Sequence, residues 1–289
     1  MLQAISNGHD SHHIQMRKNS LETLTTSLDD GKIHLLLGCS GSVATIKLPN
    51  IIQALSKYPS SQLSIRVVLT PSASRFLAGQ SREQPTISAL ISLPNVDAVY
   101  VDADEWKVPW VRGGGILHIE LRRWADICVI APLSANTMAK IVGGFADSLL
   151  TSVVRAWDTW GELDAAQEGT GGVGTNRRLK KRRIIVAPAM NTAMWRHPIT
   201  AKQLRVLEEE WGVGPSAPKT QPDDGAAPDP LSTSQEPDQP VATEDEGDGW
   251  FEVLRPQRKV LACGDAGDGA MVEWPQIVAV IEERLGLGV

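Results

Sequence analysis

Short apolar, β-branched runs recur along the chain, separated by stretches with helical spacing. Lys32–Gly38, Ser64–Thr70, Val96–Val101, Asp126–Ala131 and the run from Ile184 to Ala187 read as strands, and order resumes at Trp250–Leu254 after a polar stretch. Leu117, Leu121 and Trp124 fall on one side of a helix that begins near Ile116. Helices are also predicted from Ala44 to about Tyr58, into Val142, from Asp147 to Trp157, over Pro198–Trp211 and over Pro275–Leu287. This alternation predicts an α/β protein: a single doubly wound parallel sheet, Rossmann- or flavodoxin-like, with helices on both faces.

Three stretches break the pattern. Met1–Gly31 is polar throughout and reads as a disordered leader, which leaves 32–289 as one domain without internal repeats. Residues 160–181 have no apolar periodicity and five glycines. Residues 212–249 are dense in Pro, Asp, Glu, Gly, Ser and Thr, the composition of a chain that cannot bury a core. Both read as disordered insertions into the domain.

Of the 289 residues, 42% are hydrophobic, enough for a sizeable core, and the net charge is −6. A nucleic-acid partner is not expected, because phosphate neutralisation needs a concentrated basic footprint. The one compact basic cluster, Arg177–Arg178 with Lys180–Arg183, adjoins a Gly-rich stretch and reads as a solvated loop. No apolar run has the length of a membrane span, and the N-terminus lacks the apolar centre of a secretory signal. Cys39, Cys128 and Cys263 are odd in number and widely spaced. They fit reduced thiols in the cytoplasm better than a disulfide framework or a zinc site.

The candidate chemistry lies in the turns after the strands, where open parallel sheets form their ligand crevice. Cys39–Ser40–Gly41–Ser42–Val43–Ala44 joins a strand to a helix and offers free N–H groups at the positive end of the helix dipole, which suits a phosphate. It has neither the Walker ending nor the dinucleotide glycine spacing, and a plain connecting turn explains it as well. Thr70 and Ser72 bring hydroxyls to the end of the second strand. Ser134, Asn136 and Thr137 are strong capping types and equally able to hold a heterocycle or phosphate. Pro188–Ala189–Met190–Asn191 delivers a thioether and an amide, either to a ligand or as core filler and cap. Trp106 and Trp110, in an irregular segment, either pin that loop or cover a ligand. His118, near a helix start, has an ordinary structural or solvated reading. Cys263 sits in a Gly- and Asp-rich run, where a thiol can approach a ligand and donate a proton; the alternative is a small buried hydrophobe.

Five motifs together resemble the flavin-containing cysteine decarboxylases, specifically the eukaryotic phosphopantothenoylcysteine decarboxylases of coenzyme A biosynthesis. They are Gly41–Ser42–Val43–Ala44; Leu117–His118–Ile119–Glu120–Leu121–Arg122–Arg123–Trp124; Ala131–Pro132–Leu133–Ser134–Ala135–Asn136–Thr137; Pro188–Ala189–Met190–Asn191; and Leu261–Ala262–Cys263–Gly264–Asp265 with Gly269–Ala270–Met271. The resemblance implies FMN, with Ser42, Val43, Ala44, Thr70 and Ser72 at its phosphate end. Ser134, Ala135, Asn136, Thr137 and Met190 would line the flavin. His118 matches the catalytic histidine, Asn191 the binder of the substrate carboxylate, with Ala262 and Met271 beside the substrate, and Cys263 the proton donor. The implied reaction is redox-neutral. The substrate's cysteinyl thiol is oxidised to a thioaldehyde, the carboxylate leaves as carbon dioxide, and the enethiolate is reduced to 4'-phosphopantetheine. The family forms trimers with sites between subunits, so a homotrimer, or a heterotrimer with paralogues, is expected. His118 would then face Asn191 and Cys263 of a neighbour. No metal is required.

Two features depart from the family pattern: the insertions, and Val260 where a basic residue often precedes the Leu-Ala-Cys run. Some fungal relatives instead inhibit a type 1 protein phosphatase. Those relatives carry acidic tails and long N-terminal extensions, whereas here the acidic run Glu236–Asp248 is internal and the leader is short, and the full set His118, Asn191 and Cys263 favours the enzyme.

Overall fold

The computed structural model describes residues 21–163, 182–214, 249–260 and 266–288. Six strands form one fully parallel sheet: β1 (Ile33–Cys39), β2 (Leu63–Leu69), β3 (Val96–Val101), β4 (Ile127–Leu133), β5 (Ile184–Pro188) and β6 (Phe251–Val253). Their order is β3-β2-β1-β4-β5-β6, the doubly wound arrangement. The connectivity reverses between β1 and β4, so the crevice of such a sheet opens beyond their carboxyl ends.

The strands read as unbroken apolar runs because both faces are covered. Successive side chains still alternate between two cores. Leu35, Leu37, Val67, Val129 and Ile185 pack into one, with the helices Leu48–Leu55 and Trp274–Leu285. Leu36, Val68, Cys128, Ile130, Ile184 and Val186 pack into the other, with the helices Leu117–Trp124 and Leu149–Arg155. Each fully buried Leu or Ile contributes about 1.5–3 kcal/mol over an exposed one. Gly38, near the carboxyl end of β1, has no room for a side chain: a Cβ there would lie 2.6 Å from Leu150 Cδ1.

The reading of residues 1–31 as a disordered leader does not hold for its last part. Leu21–Thr26 is a helix with Leu24 fully buried. Arg66, in the middle of β2, donates to Ser27 Oγ at 3.1 Å and to the Tyr100 hydroxyl, and lies over the Trp124 ring. His34 in β1 stacks on Trp124 and bonds Asp30 at 2.9 Å. These buried polar groups hold the segment against the sheet. Residues 1–20 lie outside the described residues, as do 164–181 and 215–248, the bulk of the two predicted insertions.

Two local expectations also change. The turn after β1 enters a 3-10 helix, Val43–Lys47, before the helix Leu48–Leu55. The Gly-rich run past Cys263 is not a loop throughout. Ala266–Ala270 is strand β8, antiparallel to β7 (Gln257–Val260).

Candidate active site

A cleft of about 780 Å³ lies beyond the carboxyl ends of the strands, within the size range of cofactor sites. The turns after β1 and β2 meet at its floor. A Cβ on Gly41 would fall 2.4 Å from Ser72 Cβ, so only glycine lets the two turns touch. Ser42 and Thr70 cap the short helices that follow: Ser42 Oγ accepts from Ala44 N and Thr70 Oγ1 from Ala73 N, both at 3.3 Å. Capping uses the oxygen as acceptor and leaves each O–H as a donor. Hydroxyl donors beside a helix start suit an anion.

The turn after β4 forms one wall. Its Ala131–Pro132 peptide is cis, and Ser40 ties it to the β1 turn: Ser40 Oγ donates to Pro132 O at 3.0 Å and accepts from Ser134 N at 2.7 Å. Ser134 caps the helix Ala135–Val142 through Thr137 N at 3.3 Å. Ser134 and Thr137 are nearly buried, so they present polar groups to a ligand edge with little competing water.

The turn after β5 forms the opposite wall. Asn191 caps the helix Thr192–Arg196, its Oδ1 accepting from Met194 N at 2.8 Å. Met190 N donates to Gly269 O at 3.0 Å, and a Cβ on Gly269 would sit 2.3 Å from Met190 O. That close approach brings β8, with Ala270 and Met271, to the cleft. Arg196 reinforces it by donating to Asp268 at 2.7 Å and 3.1 Å. The Asp268 carboxyl is held below its usual range by Arg196, despite the opposing effect of desolvation.

The mouth carries charge that the sequence reading did not single out. Lys140 Nζ pairs with Asp147 at 2.6 Å, and the lysine hydrogen bond lowers the Asp147 carboxyl. Asp102 accepts from Leu149 N at 3.1 Å, while partial burial raises its own carboxyl. Lys47, Phe76, Ser148 and Trp274 also line the cleft. Ser148 was findable as a cap after the Gly143–Gly144 break; the other side chains carry no local signal.

Twelve of the expected site residues line this one cleft: Ser42, Val43, Ala44, Thr70, Ser72, Ser134, Ala135, Asn136, Thr137, Met190, Asn191 and Met271. His118 does not. It lies on the first turn of Leu117–Trp124, where Nδ1 meets Glu105 Oε1 at 2.9 Å. Ala262 and Cys263 lie outside the described residues. Trp106 and Trp110 are exposed, with Val108 and Val111 beside them, so Trp106 and Trp110 cover no ligand within a single chain. Trp110 pins its own loop by donating to Gly114 O at 2.8 Å. Cys39 and Cys128 are buried free thiols; burial pushes Cys39 far up and Cys128 up to about 12, so neither is a nucleophile.

A cleft lined by the hydroxyls of Ser42, Thr70, Ser134 and Thr137 together with Met190, Met271 and Ala135 suits a heterocycle bearing a phosphate. Comparison with known proteins agrees. The model of the family described as "Flavoprotein" matches residues 23–231. The phosphopantothenoylcysteine decarboxylase of Mus musculus is 32% identical over 257 residues, covering 89% of this chain and 89% of that protein. Among solved structures, a PPC decarboxylase mutant complexed with pantothenoylaminoethenethiol is 33% identical with a TM-score of 0.57, covering 87% of this chain and 97% of that one. The FMN binding protein AtHal3 is 34% identical with a TM-score of 0.56, covering 87% and 96%. The chain spans only about a third of several longer fungal relatives it also matches.

Proposed function

The chain belongs to the flavoprotein family, and on that premise we propose that it is an FMN-dependent decarboxylase of 4'-phosphopantothenoylcysteine, yielding 4'-phosphopantetheine for coenzyme A synthesis. The observation that carries this reading is the meeting of four separate turns, Gly41–Ala44, Thr70–Ser72, Ser134–Thr137 and Met190–Asn191, in one cleft.

The Ser42 and Thr70 hydroxyls, with Val43, Ala44 and Ser72 beside them, hold the cofactor phosphate. Ser134–Thr137 and Met190 seat the ring system. Bound FMN supplies the electron sink that lets the carboxylate leave and then returns the electrons. The Asn191 amide N–H group binds and orients the substrate carboxylate, with Ala262 and Met271 flanking the substrate. His118 takes the proton of the substrate thiol, a task matched to imidazole near neutral pH. Cys263 gives a proton to the product carbon.

Because His118 stands apart from the cleft of its own chain, it serves a neighbour's cleft in a homotrimer or a heterotrimer with paralogues. The exposed Trp106, Val108, Trp110 and Val111, four large apolar side chains close together in the sequence, support this, since such exposure on a lone chain is expected of a contact surface. No described helix is long and apolar enough to cross a membrane. The free thiols of Cys39 and Cys128 support a cytoplasmic location, where cysteines stay reduced. The test is whether purified protein carries FMN and releases carbon dioxide from phosphopantothenoylcysteine. Colourless, inactive protein that inhibits a type 1 phosphatase overturns the reading in favour of a regulatory subunit.

A further inference from the structure

We infer that Glu105 is the positioning residue for His118, holding its imidazole as the Nδ1–H tautomer so that Nε2 is the nitrogen that takes the proton. The inference rests on the reading of His118 as the base. Glu105 Oε1 lies 2.9 Å from His118 Nδ1, with the two side chains 5% and 22% exposed. A carboxylate can only accept, so Nδ1 must carry the hydrogen, and a neutral imidazole has only one. Nε2 is thereby left with its lone pair. This is the logic by which a carboxylate sets a histidine's tautomer in hydrolytic triads.

The dyad joins two elements whose own geometry is fixed. Glu105 ends the short helix Asp102–Glu105, which is tied to the end of β3 by Val101 N donating to Asp104 Oδ2 at 2.8 Å. His118 is the second residue of Leu117–Trp124. A purely structural carboxylate at this position is a poor choice. Glu105 Oε2 is buried and has no hydrogen-bond partner among the described residues, and an unpaired buried acceptor costs stability. An apolar residue fills the same space without that cost. The site therefore gives up stability to keep an acceptor on Nδ1, which has a use only if the state of the ring matters.

The test is nitrogen NMR of histidine-labelled, flavin-bound full-length protein, with the His118 signal assigned by its loss in His118→Asn. Wild-type protein should show His118 as the Nδ1–H tautomer. Glu105→Gln, nearly isosteric and able to donate as well as accept, should shift His118 to a tautomer mixture. It should lower kcat ~10- to 10,000-fold with KM and FMN content little changed, spanning the losses seen when a histidine's orienting carboxylate is removed. If Glu105→Gln does not fold, Glu105→Asp carries the test: its shorter carboxylate should preserve the Nδ1–H tautomer while lowering kcat less. An unchanged tautomer and kcat in Glu105→Gln, or a wild-type His118 protonated only at Nε2, overturns the inference. Full turnover by His118→Asn overturns the assignment of His118 as base instead, and does so independently of the tautomer result.

Discussion

Asn191 Oδ1 accepts the backbone N–H of Met194 at 2.8 Å, and this bond decides which end of the amide is left for a ligand. A cap needs an acceptor, so the oxygen is used and the Nδ2 hydrogens remain. Capping and carboxylate binding are therefore two halves of one side chain.

Asn191→Asp separates them. The aspartate keeps the cap and adds a charge suited to a helix N-terminus, but it loses the donor and repels a carboxylate. Thermal stability and FMN content should stay near wild type while kcat/KM falls at least ~10- to 100-fold, the loss expected for one hydrogen bond to a charged group. Asn191→Ala should lose activity and also about 1 kcal/mol of stability. Near-wild-type turnover by the aspartate variant in a carbon dioxide assay removes Asn191 from substrate binding.

Gly269→Ala tests the closure of the cleft by β8. The new Cβ meets backbone, Met190 O at 2.3 Å, which cannot rotate away. A shift of β8 or of the Met190 turn should cost about 1–3 kcal/mol in chemical denaturation, the usual penalty for overpacking. It should also weaken substrate saturation through Met271. Unchanged stability and KM would mean that this approach is looser than the backbone geometry states.

Cys263→Ser should leave FMN content and carbon dioxide release intact while the reduced product fails to form. A serine hydroxyl is a far weaker acid than a thiol and does not deliver the final proton. Mass spectrometry of the reaction should find the oxidised, decarboxylated species, and normal 4'-phosphopantetheine from this variant removes Cys263 from the reaction.

Asp30 gives the stability a pH dependence. Burial acts to raise its carboxyl, but the Lys32 N–H and the His34 ring, both at 2.9 Å, outweigh it and the net shift is downward. A depressed carboxylate stabilises the fold fully above its ordinary value and loses that contribution as pH falls through the lower, folded value. Asp30→Asn should flatten the acid limb of a stability–pH profile and leave the limb above neutrality unchanged.

The strands were legible because a sheet buried on both faces writes each one as an apolar run, and Leu35–Leu37 or Ile184–Val186 can be read without knowing which core receives which residue. The turns were legible because Gly41, Ser134 and Asn191 are the residue types that tight turns and caps demand, whatever they bind. The N-terminal helix was not. Leu21, Leu24 and Leu28 have helical spacing and pack into one core, but three leucines in a polar stretch are a short signal, and the segment's partners Arg66 and His34 are charged or polar types in strands, where pattern reading sees only interruption. Asp102, Lys140 and Asp147 become neighbours only through the fold. Glu105 was invisible for the same reason: it lies 13 residues before His118, in a stretch whose sequence reads as irregular, and the hydrogen bond between them is what gives it meaning.

Carbon dioxide release from phosphopantothenoylcysteine by the purified protein tests the central claim most directly. A yellow protein that retains FMN and releases one carbon dioxide for each 4'-phosphopantetheine formed, without added metal or nicotinamide, is the predicted result. A protein that binds FMN yet releases no carbon dioxide from this substrate, alone or mixed with its paralogues, contradicts it.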